Sequence, residues 1–226
     1  VAARSGKGAS EQDDPRGERR TPVVAAMLTA IALPFLMPAE ITSGMRWVVS
    51  GLEGVLLVAM LLMDPGRIDR ATVGVHRVRL TLITVLAAGA AFGAARLAIV
   101  ILTGSAGANS PSDLFRAGGL VWVNLMIAFG FVYWELDRGG PGARVHTPRT
   151  HPDLLFPQDA DPSIAPDGWR PVFVDYLYLA FTTAITFGPA DTMPLAHWAK
   201  LAMAVQAMAS LVVVGLVLAR AVNILA

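Results

Sequence analysis

Long apolar runs separated by short polar stretches dominate the chain, at about 22–39, 46–63, 80–102, 114–136, 171–188 and 195–225. Each approaches the ~20 residues that carry a helix across a bilayer. No stretch alternates apolar and polar positions over ten residues, as the strands of a membrane barrel do. The pattern predicts an all-α fold: a polytopic transmembrane helix bundle of six spans, or of five spans plus a re-entrant pore helix. The choice rests on 171–188, which as helix measures ~27 Å and suffices either to cross or to dip in and return. Pro34 and Pro38 end the first run, Asp64-Pro65-Gly66 closes the second, and Gly139-Gly140-Pro141 stops the fourth. In the third run, Gly89 and Gly93 form a small-residue pair of the kind that lets helix backbones approach closely.

Between the runs, residues 1–21 are polar, rich in small residues and without periodicity, which predicts a disordered cytoplasmic tail. Their charged stretch is too long, and no small-residue cleavage site follows, for a signal peptide. Residues 137–170 hold many prolines and no periodic pattern, and so form an extramembrane loop. Lysine and arginine cluster in the tail, in the basic loop after the second run and in 137–170, and such clusters are retained on the cytoplasmic side. With six crossings Arg220 joins them, Arg46, Arg116 and Lys200 fall outside, and Arg96 stays within the membrane. That balance favours six spans. Both termini and 137–170 are then cytoplasmic, and 190–194 faces outward.

Composition agrees. The 226 residues are 54% hydrophobic and 15% charged, too apolar to bury in one soluble core, so the lipid bilayer is the first expected partner. The net charge of +1 is divided among the loops and points to no nucleic-acid partner. No cysteine is present, which excludes disulfides and thiol chemistry. Arginine far outnumbers lysine, as in the products of GC-rich bacterial genes.

Ionisable residues inside spans are costly and are usually paired or functional. Counted from the span ends, Glu53 and Arg96 lie ~10 to 12 Å below the outer face, which predicts a salt bridge between adjacent antiparallel helices. Asn124, Thr182, Thr183 and Gln206 fall near that depth, and the six together form a candidate intramembrane polar pocket open to the outside. A structural clamp between helices is the alternative reading. At the inner edge, Glu135, Asp137, Arg138, Asp175 and Arg220 form a candidate ion-pair network, because carboxylates at a helix C-terminus need cationic partners. His76, His146, His151 and His197 lack ligand spacing and read as solvated surface residues. Asp159-Ala160-Asp161 lacks the glycine and glutamate of a calcium loop. With no metalloprotease, nucleotide-loop or serine-elbow motif, neither a cofactor nor an enzymatic activity is expected.

Two resemblances add to this reading. Thr186, Gly188, Asp191 and Pro194 form a filter-like loop whose spacing resembles the pore of tetrameric potassium channels, where a threonine-rich pore helix leads into the filter and then the inner helix. Phe187, Pro189 and Ala190 depart from that filter, and proline and alanine resist the backbone angles of its carbonyl ladder. Over a longer stretch, Asp64-Pro65, the run Tyr133-Trp134-Glu135-Leu136-Asp137-Arg138-Gly139-Gly140-Pro141 and Phe173-Val174-Asp175-Tyr176 resemble a family of multi-pass bacterial inner-membrane proteins without an assigned activity. That resemblance implies location and topology, not chemistry. The expected function is a small transport or permeation protein with an outward-facing polar pocket, acting on a small ion or solute and assembling as a homo-oligomer. The alternatives are a non-transporting scaffold or accessory subunit, and a tetrameric cation channel with an atypical filter at Thr186 to Asp191.

Overall fold

The computed structural model describes residues 17–42, 44–63, 67–68, 72–104, 110–146, 151–188 and 191–225. Most of the expected tail, the Asp64-Pro65-Gly66 turn and residues 189–190 of the filter-like loop lie outside them. The described chain is helical: α1 (Arg20–Leu36), α2 (Ala39–Thr42), α3 (Met45–Met63), α4 (Val73–Thr103), α5 (Pro111–Leu136), α6 (Pro141–His146), α7 (Pro157–Ala160), α8 (Phe173–Thr186) and α9 (His197–Leu225). Four two-residue strands join it. β1 (Glu18–Arg19) pairs antiparallel with β2 (Arg67–Ile68), and β3 (Leu154–Leu155) pairs antiparallel with β4 (Met193–Pro194). Helices α3, α4, α5 and α9 are long and apolar enough to cross a membrane. Exposed apolar side chains such as Val48, Val55, Leu62, Leu201, Met208 and Val222 give α3 and α9 the outer surface that lipid requires.

Helix α5 is the centre of the bundle and touches α1, α4, α8 and α9. Pro111 at its first turn supplies a preset φ and withholds an N–H that would have no partner there. Its buried Phe131, Tyr133 and Trp134 are among the largest enclosed side chains. Gly130 is required by the packing, since a Cβ there would lie 3.3 Å from the Leu177 Cα on α8. On α4 the expected small-residue pair divides. Gly89 packs against α3, where a Cβ would lie 3.1 Å from Val49, whereas Gly93 has open space before it.

Contacts at the helix ends give the direction of each helix. At one end, here the charged end, the Trp134 indole N–H donates to Glu18 (2.8 Å) just before α1 begins. At the far end, Arg116 donates to the Leu36 carbonyl (3.2 Å) where α1 stops. Helix α3 returns to the charged end, α4 leads away from it and α5 comes back. Helix α8 then sets out from the charged end beside α5, with Phe173 against Phe131 and Trp134 and Phe181 against Trp122.

The return of the chain after α8 corrects the expected topology. Pro194 pairs with Leu154 and Met193 with Leu155, while the N–H groups of Leu195 and Ala196 donate to the Asp153 carbonyl at 2.9 and 3.2 Å. Met193–Pro194 therefore lies on the same side as the 137–170 segment, not opposite it. The physical cause is length: α8 has 14 residues, ~21 Å of helix against a hydrocarbon core of ~30 Å. Helix α9 consequently starts at the charged end and finishes at the far end, where Val217 meets Gly118 and Arg220 approaches Gly104. The described starts of α1 and α9 therefore share the charged end, and Arg220 lies at the far end, which corrects its grouping with Glu135, Asp137 and Arg138. The charge balance did not expose this, because reversing α9 exchanges Arg220 for Lys200 at the charged end.

Candidate functional site

Helix α8 and the chain that follows form the most unusual unit of the fold. At the charged end the helix is held by two carboxylates: Asp175 accepts from the Val172 N–H (2.7 Å) and Glu18 accepts from the Phe173 N–H. Each satisfies a donor that the helix start leaves open. Midway, fully buried Gln206 of α9 fastens it, donating to the Ala180 carbonyl (2.6 Å) and accepting from the Tyr133 hydroxyl (2.6 Å). One turn further along each helix, Thr183 and Ser210 are buried with hydroxyl oxygens that meet no hydrogen-bond partner among the described residues. The helix ends on Phe187, 44% exposed and left-handed (φ 56°, ψ 31°), a strained conformation for a bulky residue. The Thr186 hydroxyl lies within reach of the Thr182 carbonyl (2.8 Å) and the Gly188 carbonyl (2.7 Å), linking helix end to return. Asp191 is exposed, Thr192 is buried, and Pro194 lies in the β3–β4 ladder.

The expected six-residue pocket is divided. Gln206 and Thr183 belong to the α5–α8–α9 contact, and Thr182 is half-buried with its hydroxyl turned back to the Tyr178 and Leu179 carbonyls. Glu53 and Asn124 instead share a cleft of about 40 Å³ with Arg46, Thr42 and Gly89. That is room for about one water. Glu53 is 2% exposed, and Glu53 Oε2 and Asn124 Oδ1 are without hydrogen-bond partners among the described residues. The α4 residue facing Glu53 is Gly89, whose added Cβ would lie 3.8 Å from the carboxylate. Arg96 lies two turns beyond, ~10 Å along the helix, and the basic residue that lines this cleft is Arg46, where the sequence predicted Arg96.

At the charged end the expected inner-edge network is denser than the sequence suggested. Glu135, fully buried at the end of α5, is met by Arg79 Nε at 3.0 Å and by His76 Nδ1 at 2.8 Å. Both residues were expected in a loop or at the surface, but α4 begins at Val73 and carries them as helix. Asp137 accepts from the Tyr176 hydroxyl (2.6 Å) and from the N–H groups of Asp153 and Leu154 (3.1 Å each), with Arg138 Nε at 3.3 Å. Arg138 also pairs with Asp159, and its N–H donates to Asp153 (2.8 Å). Burial pushes the Asp137 carboxyl above the usual carboxylate range, while the Tyr176 hydroxyl and the Arg138 guanidinium pull it back. Burial raises Glu18 in the same way, against the Trp134 and Phe173 donors and Arg144. Asp175 caps α8 and stands apart from the Glu135 cluster. Of the missed members, Arg79 and His76 had one legible signal, that antiparallel neighbours α4 and α5 put the basic start of one beside the acidic end of the other, whereas Tyr176, Arg144 and Glu18 come from other elements and had none.

The chain is matched by no family model, no curated protein and no solved structure.

Proposed function

We propose that the protein is an oligomeric cation-permeation protein in which α8 is a re-entrant pore helix and Thr186, Phe187 and Asp191 line the conduction path. The β3–β4 pairing carries this reading, because it makes α8 and its return a hairpin open to one side. Five crossings, by α1, α3, α4, α5 and α9, accompany it, and the basic charged end is cytoplasmic. Non-helical backbone at membrane depth is tolerated only where protein covers it or water lines it. Thr186, Phe187 and Asp191 are exposed on the single chain, so a second copy or an aqueous path has to meet them. The negative end of the α8 dipole points into the membrane, and with the Asp191 carboxylate it favours a cation. Resemblance to potassium-channel pores supports a fourfold assembly, with the hairpin here entering from the basic side.

Purified protein in liposomes is expected to behave as a tetramer and to pass potassium or sodium but not chloride, with the flux falling sharply in Asp191→Asn. A monomer that passes no ion would overturn the reading and favour a scaffold. A second reading, a solute pocket, is favoured by the partnerless Glu53 and Asn124 oxygens in one cleft. Solute uptake lost in Glu53→Gln, with cation flux unchanged in Asp191→Asn, would select it.

A further inference from the structure

We propose that the cavity at the charged end binds a phosphate group through Arg144, Arg170 and Arg19. Its volume is about 710 Å³, and these three guanidinium-bearing residues line it with Glu18 as the one acidic residue among the described lining residues. The Glu18 carboxylate is already engaged by the Trp134 and Phe173 donors.

Arg144 carries the inference. It is 5% exposed, stacks its guanidinium over the Tyr176 ring at 4.9 Å, and donates Nη1 to the carbonyls of Trp134 (2.7 Å) and Asp137 (3.1 Å). Its Nη2 is buried and has no hydrogen-bond partner among the described residues. A buried cationic donor without an acceptor is costly, and because Arg144 lines the cavity, a small shift of its side chain would present Nη2 to a bound oxygen. Arg170 donates to the Arg144 carbonyl (3.4 Å) and is exposed, as is Arg19, so both have donors to spare at the mouth. Planar guanidinium forks match phosphate oxygens in charge and geometry. The phosphate can come from two sources: an anionic lipid headgroup, which basic pockets at the cytoplasmic edge of helix bundles recognise, or a free phosphate in solution.

The test adds phosphatidylglycerol mixed micelles, phosphatidylcholine mixed micelles or inorganic phosphate to the purified full chain, reading bound molecules by native mass spectrometry and protection by thermal midpoint. Binding of phosphatidylglycerol alone assigns a lipid headgroup, and binding of inorganic phosphate assigns a free ligand. Arg170→Gln and Arg19→Gln are each expected to weaken binding about tenfold, the equivalent of ~1.4 kcal/mol. These variants matter because Arg144→Gln also removes the bonds to Trp134 and Asp137 and can fail to fold. No binding of either probe, or binding unchanged in both Arg170→Gln and Arg19→Gln, overturns the proposal.

Discussion

Neutralising Glu135 is expected to destabilise the protein by about 3 to 5 kcal/mol, because the change breaks its buried ion pair with Arg79. Arg79→Gln, which breaks the same pair, is expected to cost a similar amount. Both side chains are out of solvent, so water cannot replace the lost partner. Thermal unfolding in detergent would show this as a midpoint lower by roughly 10 °C. Replacing both residues with leucine should recover most of the loss, since a well-packed apolar pair is often as stable as a buried ion pair. His76, the third member, is partly exposed and can turn to water. A double variant whose loss equals the sum of the singles would show that the two residues do not act as a pair.

Gly140→Ala is the second change expected to have a large effect. Arg138, Gly139 and Gly140 have consecutive positive φ values, of 55°, 82° and 91°, and this reversal turns the chain off the end of α5. Gly140, at φ 91° and ψ 176°, occupies a region open almost only to glycine. An added Cβ would also lie 2.9 Å from the Glu135 carbonyl oxygen and 3.3 Å from its carboxylate. The backbone strain alone is about 1 to 3 kcal/mol, and relief of the clash would displace Glu135 from Arg79. Poor expression and a lowered thermal midpoint are the expected readouts. A midpoint equal to that of the unaltered protein would contradict the assigned turn.

These two results concern a stretch that the sequence made legible only in part. The glycines and proline announced a helix stop, and the carboxylates before them announced a need for cations. The cations were harder to locate, because His76 and Arg79 look like loop residues when they in fact enter the bundle on α4 and meet Glu135. Depth counting failed for Arg96 for a related reason. By the position of Gly89 opposite Glu53, α4 extends ~9 Å beyond α3 at the far end, so counting in from the helix ends overstates how close the two charges come.

Helix α8 shows the sharper limit. Its apolar run has the composition of a short span, and nothing local to 171–188 says whether the chain crosses or returns. The observation that bears on it is the pairing of Met193–Pro194 with Leu154–Leu155, a contact made across some forty residues by a proline-rich segment without strand periodicity. Charge could not substitute, since either course leaves the basic residues equally segregated.

That return is also what makes Thr186, Phe187 and Asp191 a candidate conduction path, and single cysteines test it most directly. In this cysteine-free chain they would be placed at Ser163, Met193 and Ser112, all exposed, the first two at the charged end and the third at the far end. With a membrane-impermeant maleimide on intact cells, Ser112→Cys is expected to label, whereas Ser163→Cys and Met193→Cys should label only after permeabilisation. Labelling of Met193→Cys together with Ser112→Cys, and apart from Ser163→Cys, would mean that the segment crosses the membrane and would contradict the re-entrant hairpin.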